Sequence, residues 1–323
     1  MHPEIETVLD RRRLRRGLSR WRGIGIAGGA VALMALAASS GTLMDLAAQP
    51  QIARIAIEGT ILEDREQLAM LKKIKDDKSV KGLIVFVNSP GGTTTGGESL
   101  YEGLRDVAKE KPVVAQFGTV AASAGYIVGL GTDHIVARGN TITGSIGVIA
   151  QWPEFSEVLA KIGVKMNEVK SGELKAQPSG FAPADPAALK VMQEMIDDGF
   201  RWFTALVETR RGIKIADLPG LEKGRIYSGR AAVEGKLVDE IGGEAEAQRW
   251  LEDKRGIAKD LKIIDWKPSV AGGWGFGSQA SESWPERLVD AGFSRALRLV
   301  SGGRGGSNLG LDGLVSVWHP SEN

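Results

Sequence analysis

The sequence predicts an α/β protein with a mostly parallel sheet, and three observations carry this prediction. Apolar runs such as LIVFV at 83–87 alternate along the chain with helical segments, as in a parallel sheet that is covered on both faces. Glycine-rich turns follow two of the apolar strands, at 88–92 and 121–125. An uncharged run at 23–44 follows an arginine cluster, so one transmembrane helix is expected to precede the sheet domain.

The predicted elements alternate between strands and helices. Strands are predicted at 52–59, 83–87, 112–118, 134–139 and 142–150, and helices at 64–78, 96–110, from about 122, at 153–162 and at 184–211. The last helix carries apolar residues at helical spacing, among them Leu189, Met195, Phe203 and Val207, which are expected to pack in the core. Residues 224–243 predict a turn, a short helix and a closing strand.

Four regions are predicted along the 323 residues. They are a basic cytoplasmic segment (1–22), a transmembrane anchor (23–45), a folded domain (46–267) and a Gly/Ser/Trp-rich extension (268–323) that contains an amphipathic helix at 285–300. The amphipathic helix could contact the membrane, a partner subunit or its own domain.

The anchor prediction rests on length and charge. A helix needs roughly 20 apolar residues to cross the hydrocarbon core, and the run at 23–44 is long enough. It is also longer than the apolar region of a cleaved signal peptide, although LAAQP at 46–50 leaves room for cleavage, so we favour an uncleaved anchor. The arginines of residues 1–22 are expected to stay in the cytoplasm. In a bacterium this makes a single-pass inner-membrane protein with its folded domain on the extracytoplasmic side.

The composition excludes several kinds of site. The chain has no cysteine, which removes disulfides, thiolate catalysis and cysteine-ligated metals. Its three histidines, His2, His134 and His319, are too dispersed for a histidine metal centre, so neither a metal nor another cofactor is expected. The net charge of +1 gives no electrostatic argument for a nucleic-acid partner. The sequence has no GxxxxGK[ST] loop, so its activity is not expected to need ATP.

Ser123 lies in the segment AASAG, where a strand is expected to turn into a helix. In an open α/β sheet, ligands bind beyond the carboxyl ends of the strands, and the segment NSPGG would lie at the same edge. Glycine-rich turns let backbone N–H groups face a substrate oxygen, so Gly91, Gly92 and Ala124 are candidate oxyanion donors. Ser123 is then either a nucleophile or a small residue that permits close packing, and the residues alone leave both interpretations open.

A serine nucleophile needs a general base. His134 is the one histidine of the folded domain, but it would lie at the far end of the helix that follows Ser123. Lysine is the remaining usual base, because burial disfavours the ammonium and lets a lysine lose its proton near neutral pH. The loop 169–183 offers Lys170 and Lys175, and neither stands out from the residues alone.

Five motifs occur in an order and with gaps that resemble the bacterial signal peptide peptidase A family: NSPGG, AASAGYIVG, ITGSIGVI, KSGELK and GRIYSGRAAVEGKLVDEIGG. The resemblance covers residues 52 to about 250. It implies a Clp-protease/crotonase-like fold with a repeated β-β-α core, and a membrane-anchored serine protease with a Ser-Lys dyad. The chain has one copy of the fold and so resembles the short form of the family, whose members form ring- or dome-shaped homo-oligomers.

The resemblance also implies residue roles. The family's nucleophile matches Ser123, and its general base matches Lys175, the second lysine of KSGELK, with Lys170 as the alternative. A second serine, which hydrogen-bonds the lysine, matches Ser145. The oxyanion glycine matches one of the two glycines of NSPGG. With a lysine as the base, activity is expected to rise with pH as the amine deprotonates.

The implied function is the degradation of remnant signal peptides and other hydrophobic peptides after secretion. A related membrane-bound protease that cleaves specific membrane proteins is the nearest alternative. A catalytically silent membrane scaffold and a crotonase-like acyl-CoA enzyme are more distant ones. An extracytoplasmic domain argues against the acyl-CoA enzyme, since such enzymes generally act on cytosolic CoA esters.

Overall fold

Three long parallel strands form the centre of the sheet in this computed structural model. They are β1 (Gln51–Ile61), β2 (Val80–Thr93) and β3 (Val113–Ala122). β2 lies between β1 and β3 and pairs in parallel with both. The apolar run predicted at 83–87 is the buried middle of β2, and the alternating segment predicted at 52–59 lies within β1.

The remaining strands extend this sheet on both sides, and nine strands form it among the described residues. They are β4 (His134–Ala137), β5 (Ile142–Gly144), β6 (Ile226–Ser228), β7 (Glu240–Ile241), β8 (Lys262–Asp265) and β9 (Val315–Val317). All pairs are parallel except β5 with β6 and β2 with β9. The mixed α/β fold with a mostly parallel sheet is therefore confirmed.

The described residues form seven α-helices. They are α1 (Arg65–Asp76), α2 (Thr94–Ala108), α3 (Ala124–Leu130), α4 (Ser156–Lys161), α5 (Pro186–Arg211), α6 (Gly229–Glu234) and α7 (Glu244–Arg255). Short 3₁₀ turns at Ile215–Asp217 and Leu221–Lys223 follow α5. The prediction found α1 to α6 to within a few residues, whereas α7 and β8 were missed.

Alternate residues of the central strands fill two separate cores. One face of the sheet belongs to the larger core, which includes Ile55 and Val85 of the strands and Leu104 of α2. The other face presents Ile84 and its neighbours to Leu251 of α7. Complete burial of one such aliphatic side chain contributes about 1.5–3 kcal/mol. Both faces are thus covered, as the continuous apolar runs predict.

The long helix α5 packs through its C-terminal half. Phe203 and Val207 are buried against the sheet core, as predicted. Leu189 and Met195, however, are 42 % and 49 % exposed, so the prediction of core packing was wrong for them. Helical spacing shows which face of a helix is apolar, but it does not show whether the same chain supplies the surface that covers it.

Residues 150–185, which we call the arm, have no buried residue. The arm connects β5 with α5 and contains the short helix α4, none of whose side chains is buried. Large apolar side chains are exposed along its length: Phe155, Val158, Ile162, Val164, Met166, Val169, Leu174 and Phe181. Among the residues that the structure describes, the arm therefore has no core of its own.

The structure describes residues 49–268, the segment 315–317 and two isolated positions, Gly25 and Gly29. Of the helices in this part of the chain, none is both long and apolar enough to cross a membrane. The predicted basic segment, the anchor and the amphipathic helix at 285–300 lie outside the described residues, apart from the two isolated glycines.

Candidate active site

Ser123 occupies a strained turn between β3 and α3. Its backbone angles are φ 57° and ψ −120°, a region that residues other than glycine rarely adopt. The carbonyl oxygen of Ser123 accepts hydrogen bonds from the N–H groups of Tyr126 (2.9 Å) and Ile127 (3.0 Å), so the helix begins directly after the serine. A strained serine on a sharp strand-to-helix turn is the geometry of a nucleophile elbow.

Small residues around Ser123 allow α3 to approach the sheet closely. A Cβ added at Gly125 would lie 2.8 Å from the carbonyl oxygen of Ser89, on β2. A Cβ added at Gly97, on α2, would lie 3.2 Å from the Cβ of Ala124. Close packing thus explains Gly125 and the small size of Ala124. It gives no reason for the strained backbone of Ser123, and strain of this kind clusters at functional sites.

The glycines of NSPGG lie beside this turn. In the pairing of β2 with β3, Ser89 lies opposite Ala121. Gly91 and Ser123 each lie two residues further along their own segment. The segment is ordered by the buried hydroxyl of Ser89, which accepts a hydrogen bond from the N–H of Gly91 (3.1 Å) and donates one to the carbonyl of Gly91 (3.2 Å).

The candidate oxyanion donors differ in how they are held. Gly91 has a φ of 125°, and its N–H is engaged by Ser89. A Cβ at Gly92 would overlap the carbonyl oxygen of Ile61 on β1, so this position requires glycine. Ala124 is the first residue of α3, where N–H groups have no partner within the helix.

Ser145 lies next to Ser123. The N–H of Ser123 donates to the carbonyl oxygen of Gly144 at 2.9 Å, and Ser145 follows directly, at the end of β5. Ser145 also has a positive φ, of 50°, and its N–H donates to the carbonyl oxygen of Arg225 at 3.0 Å. The structure thus brings together Ser123, Ser145 and the glycine segment of β2.

The structure does not bring Lys175 to these residues. Lys175 is exposed on the arm, and its amine makes no hydrogen bond or ion pair with any described residue. The other lysine of the loop, Lys170, is ion-paired with Glu168. Ser123, in contrast, is buried. Within one chain, the nucleophile candidate and the base candidate therefore occupy very different surroundings.

His134 has a structural role, as the sequence indicates. It begins β4, beyond the C-terminal end of α3, so the whole helix separates it from Ser123. Its ring stacks on Trp250 with the centroids 4.9 Å apart, and Nε2 lies 3.3 Å from Glu240. These contacts tie β4 to α7 and β7.

A groove adjoins the residues that directly follow β2. It has a volume of about 630 Å³ and runs between the first turn of α2 and the N-terminal half of α5. Val191, Met195 and Trp202 supply its apolar surface, and Thr94 lies next to the end of β2. Three carboxylate side chains also line it: Glu98, Glu194 and Asp198. A Cβ at Gly199 of α5 would lie 3.4 Å from Val148, so the groove also adjoins the segment that follows Ser145. Sequence reasoning missed this groove, because its two walls are far apart in the chain.

Comparison with known proteins gives two family matches. Peptidase family S49 matches residues 105–258, and the Clp protease family matches residues 53–138. Together they span residues 53–258, which include most of the sheet, the Ser123 turn and the arm.

Individual relatives agree with these matches. The "Putative signal peptide peptidase SppA" of Enterococcus faecium is 34% identical over 72% of this chain and 71% of its own length. The "Putative protease slr0021" of Synechocystis sp. is also 34% identical, over 67% of this chain and 78% of the relative. "Protease 4" of Haemophilus influenzae is 34% identical over 67% of this chain, which spans only 37% of that longer protein.

The fold, the strained serine and the comparisons agree with one another. The Clp-protease match includes the three long central strands and β4, and the S49 match includes both Ser123 and the arm. The family that the five motifs resemble is the one that the relatives represent. The chain therefore belongs to peptidase family S49, the family of signal peptide peptidase A, and is a serine peptidase.

Proposed function

We propose that this peptidase is a membrane-anchored endopeptidase with Ser123 as its nucleophile and Lys175 as its general base. The observation that carries the proposal is the strained backbone of Ser123, at the start of α3 and beside the glycine segment of β2. A nucleophile at such a turn projects from the sheet edge, with helix N–H groups close to the atom it attacks.

The chemistry follows from these positions. The neutral amine of Lys175 accepts the proton of the Ser123 hydroxyl while Oγ attacks the carbonyl carbon of a peptide bond. The N–H of Ala124 and one N–H of the glycine segment stabilise the resulting oxyanion, at about 3 kcal/mol for each donor. The lysine returns the proton to the leaving amine. It then takes a proton from water as the water oxygen attacks the acyl carbon, and it delivers that proton to Ser123 Oγ as the acyl group is released as a carboxylic acid. Ser145 holds the amine in place. No step requires a cofactor or ATP.

The exposed arm supports a proposal about assembly. The described residues leave its apolar side chains exposed, and Lys175 lies among them with its amine unpartnered by any of those residues. We propose that the chain forms a homo-oligomer in which neighbouring copies cover the arm. Assembly would then bring the lysine of one copy to Ser123 of the next and complete the active site.

The groove beside the glycine segment supports a proposal about substrates. Its apolar side chains suit a hydrophobic residue of an extended peptide bound along the end of β2. Remnant signal peptides and other hydrophobic peptides are substrates of this kind. The predicted anchor would keep the extracytoplasmic domain close to them, at the bacterial inner membrane.

The proposal is tested by cleavage of a quenched fluorescent signal peptide by the full chain in detergent. Ser123→Ala is expected to lower kcat/KM by at least about 10³-fold. Ser99→Ala, which changes a serine on α2, is the matched control and is expected to keep full activity. Unchanged activity of a folded Ser123→Ala variant would refute the assignment of the nucleophile.

The base is tested in the same assay with the two lysines of the arm. Lys175→Ala is expected to lower kcat by about 10²- to 10⁴-fold, whereas Lys170→Ala is expected to have little effect. The opposite result for the two variants would move the base to Lys170.

A protease for specific membrane proteins is the second candidate. The same site and the same chemistry serve both functions, so the two differ only in substrate. Cleavage of unrelated signal peptides at similar rates would support the general peptidase. Activity confined to one membrane protein would support the specific one.

A further inference from the structure

The helix that begins at the Ser123 turn has a buried C-terminal end. All seven residues of α3 are buried, and so are Gly131 and Thr132, which follow it. The last carbonyl groups of a helix have no partner within the helix, and at a buried end they cannot turn to water. Other parts of the chain therefore have to supply hydrogen-bond donors to this end.

Two arginines supply these donors. Arg210, in the last turn of α5, donates from Nε to the carbonyl oxygen of Leu130 at 2.9 Å and from Nη2 to that of Thr132 at 2.8 Å. Arg105, in the last turn of α2, donates from Nη1 to the carbonyl oxygen of Gly131 at 3.3 Å. Their positive charges also suit the negative end of the helix dipole. We call Arg105 and Arg210 the arginine clamp.

The two members of the arginine clamp differ in their other contacts. Arg105 also forms an ion pair with Asp133 at 3.0 Å. Arg210 forms no ion pair with a carboxylate of any described residue, and its two hydrogen bonds both go to carbonyl groups at the end of α3. A planar guanidinium can donate in two directions at once, which a lysine amine does less well. Holding α3 is therefore the role that the contacts of Arg210 indicate.

The arginine clamp connects the groove with the nucleophile turn. The first turn of α2 and the N-terminal half of α5 form the walls of the groove, and the last turns of the same two helices carry the clamp. Between the clamp and the Ser123 turn lies only α3, which is roughly 10 Å long at 1.5 Å per residue. A helix this short is not stable by itself, so tertiary contacts determine its position.

We infer that Arg210 is a positioning residue for peptide hydrolysis, because it fixes α3 and thereby Ser123 and the N–H of Ala124 relative to a peptide in the groove. The inference rests on the proposed function for the roles of Ser123 and the groove. Without Arg210 two buried carbonyl groups lose their donors, and the end of α3 has to move to find others. A misplacement of about 1 Å at a reacting group can lower a rate on the order of 10²-fold.

Two substitutions of Arg210 test the role of its N–H groups. Arg210→Met keeps much of the apolar stem and removes every donor, whereas Arg210→Lys keeps the charge and part of the donor capacity. In signal-peptide cleavage by the full chain in detergent, Arg210→Met is expected to lower kcat about 10- to 100-fold and to change KM less than about 3-fold. Arg210→Lys should lie between this variant and the native chain.

A core substitution separates positioning from a general loss of stability. Leu251 of α7 is buried in the core on the other face of the sheet. Leu251→Ala is expected to lower the melting temperature but to leave kcat unchanged at a temperature where circular dichroism shows every variant to be folded. A fall in kcat as large as that of Arg210→Met would overturn the inference, because lost stability would then explain both.

Hydrogen exchange measures the position of α3 without catalysis. The N–H groups of Tyr126 and Ile127 donate to the carbonyl oxygen of Ser123, so their exchange reports on the first turn of the helix. In Arg210→Met, exchange in α3 relative to exchange in β1 is expected to rise at least about 10-fold over the native ratio. Leu251→Ala should leave this ratio unchanged.

The outcomes distinguish the inference from the proposed function. Unchanged exchange in α3 of Arg210→Met, or faster exchange with unchanged kcat, would overturn the inference and leave the proposed chemistry intact. A native chain that cleaves no peptide would refute the proposed function. Faster exchange in α3 of Arg210→Met would even then support the hold of Arg210 on the Ser123 turn.

Discussion

The sheet body around Ser123 and the arm that carries Lys175 are held in different ways. The turn at Ser123 is fixed on three sides, by β2, β5 and the first turn of α2. The arm has no buried residue and exposes apolar side chains along its length. In the proposed mechanism, each chain prepares the nucleophile by itself, and the base becomes positioned only when copies assemble. Control over assembly would then be control over activity.

A charged side chain introduced on the arm should have the largest effect, because it should prevent both assembly and peptide cleavage. Ile162, which is 67 % exposed, contributes to the apolar surface of the arm. We expect Ile162→Glu to dissociate the oligomer and abolish peptide cleavage while leaving thermal stability of the chain unchanged, because no core contact is lost. Light scattering, cleavage and circular dichroism measure the three quantities.

The matched control places the same change on the body. Ile264 of β8 is 42 % exposed, and Ile264→Glu is expected to keep both assembly and activity. Equal oligomer size for the Ile162→Glu variant and the native chain would show that the arm is not the assembly surface.

Alanine substitutions at two glycines should show that the body is packed more tightly than the arm. A Cβ at Gly92 would overlap the Ile61 carbonyl, whereas a Cβ at Gly172, on the arm, has nothing within 4 Å. Gly92→Ala is therefore expected to lower the free energy of unfolding by about 3 kcal/mol, and Gly172→Ala to change it by less than about 0.5 kcal/mol. Urea denaturation measures both, and similar losses at the two sites would contradict the described packing.

Removal of the Tyr126 hydroxyl should have the smallest effect of these changes. Its hydroxyl donates to the carbonyl oxygen of Leu237 at 2.8 Å, and burial raises the pKa of Tyr126 above the ordinary value. Tyr126→Phe is expected to cost about 1 kcal/mol of unfolding free energy, because it leaves a buried carbonyl unpaired.

The raised pKa also predicts a pH dependence. Above about pH 10 the unfolded chain loses the tyrosine proton while the folded chain keeps it, so the stability from this hydroxyl is present below that pH and is lost above it. In Tyr126→Phe the fall in stability from pH 9 to 11 should be smaller than in the native chain. An identical fall in both proteins would refute this account of Tyr126.

The sequence predicted the body better than the arm for a physical reason. Continuous apolar strands such as 83–87, and the glycines that follow them, reflect contacts within one chain, so their pattern carries the fold. The exposure of Leu189 and Met195 depends on whether the same chain covers them, and helical spacing contains no information about that.

The candidate site could likewise be predicted only in part. NSPGG and AASAG could be recognised as turns at one sheet edge, and the resemblance assigned roles to Ser123, Ser145 and Lys175. The strain at Ser123 could not be predicted, since no local preference of serine favours its backbone angles of φ 57° and ψ −120°. The pairing of β9 with Gly91 joins segments more than 200 residues apart, and no local pattern marks it.

In the proposed mechanism, a serine of the body and a lysine of the arm act together across copies. Its most direct test is to co-express two inactive full-length variants, Ser123→Ala and Lys175→Ala, and to measure signal-peptide cleavage by the mixed oligomer. The account predicts that activity returns, because some interfaces combine an intact serine with an intact lysine from the neighbour. Mixed oligomers that form normally but stay as inactive as either variant alone would contradict it.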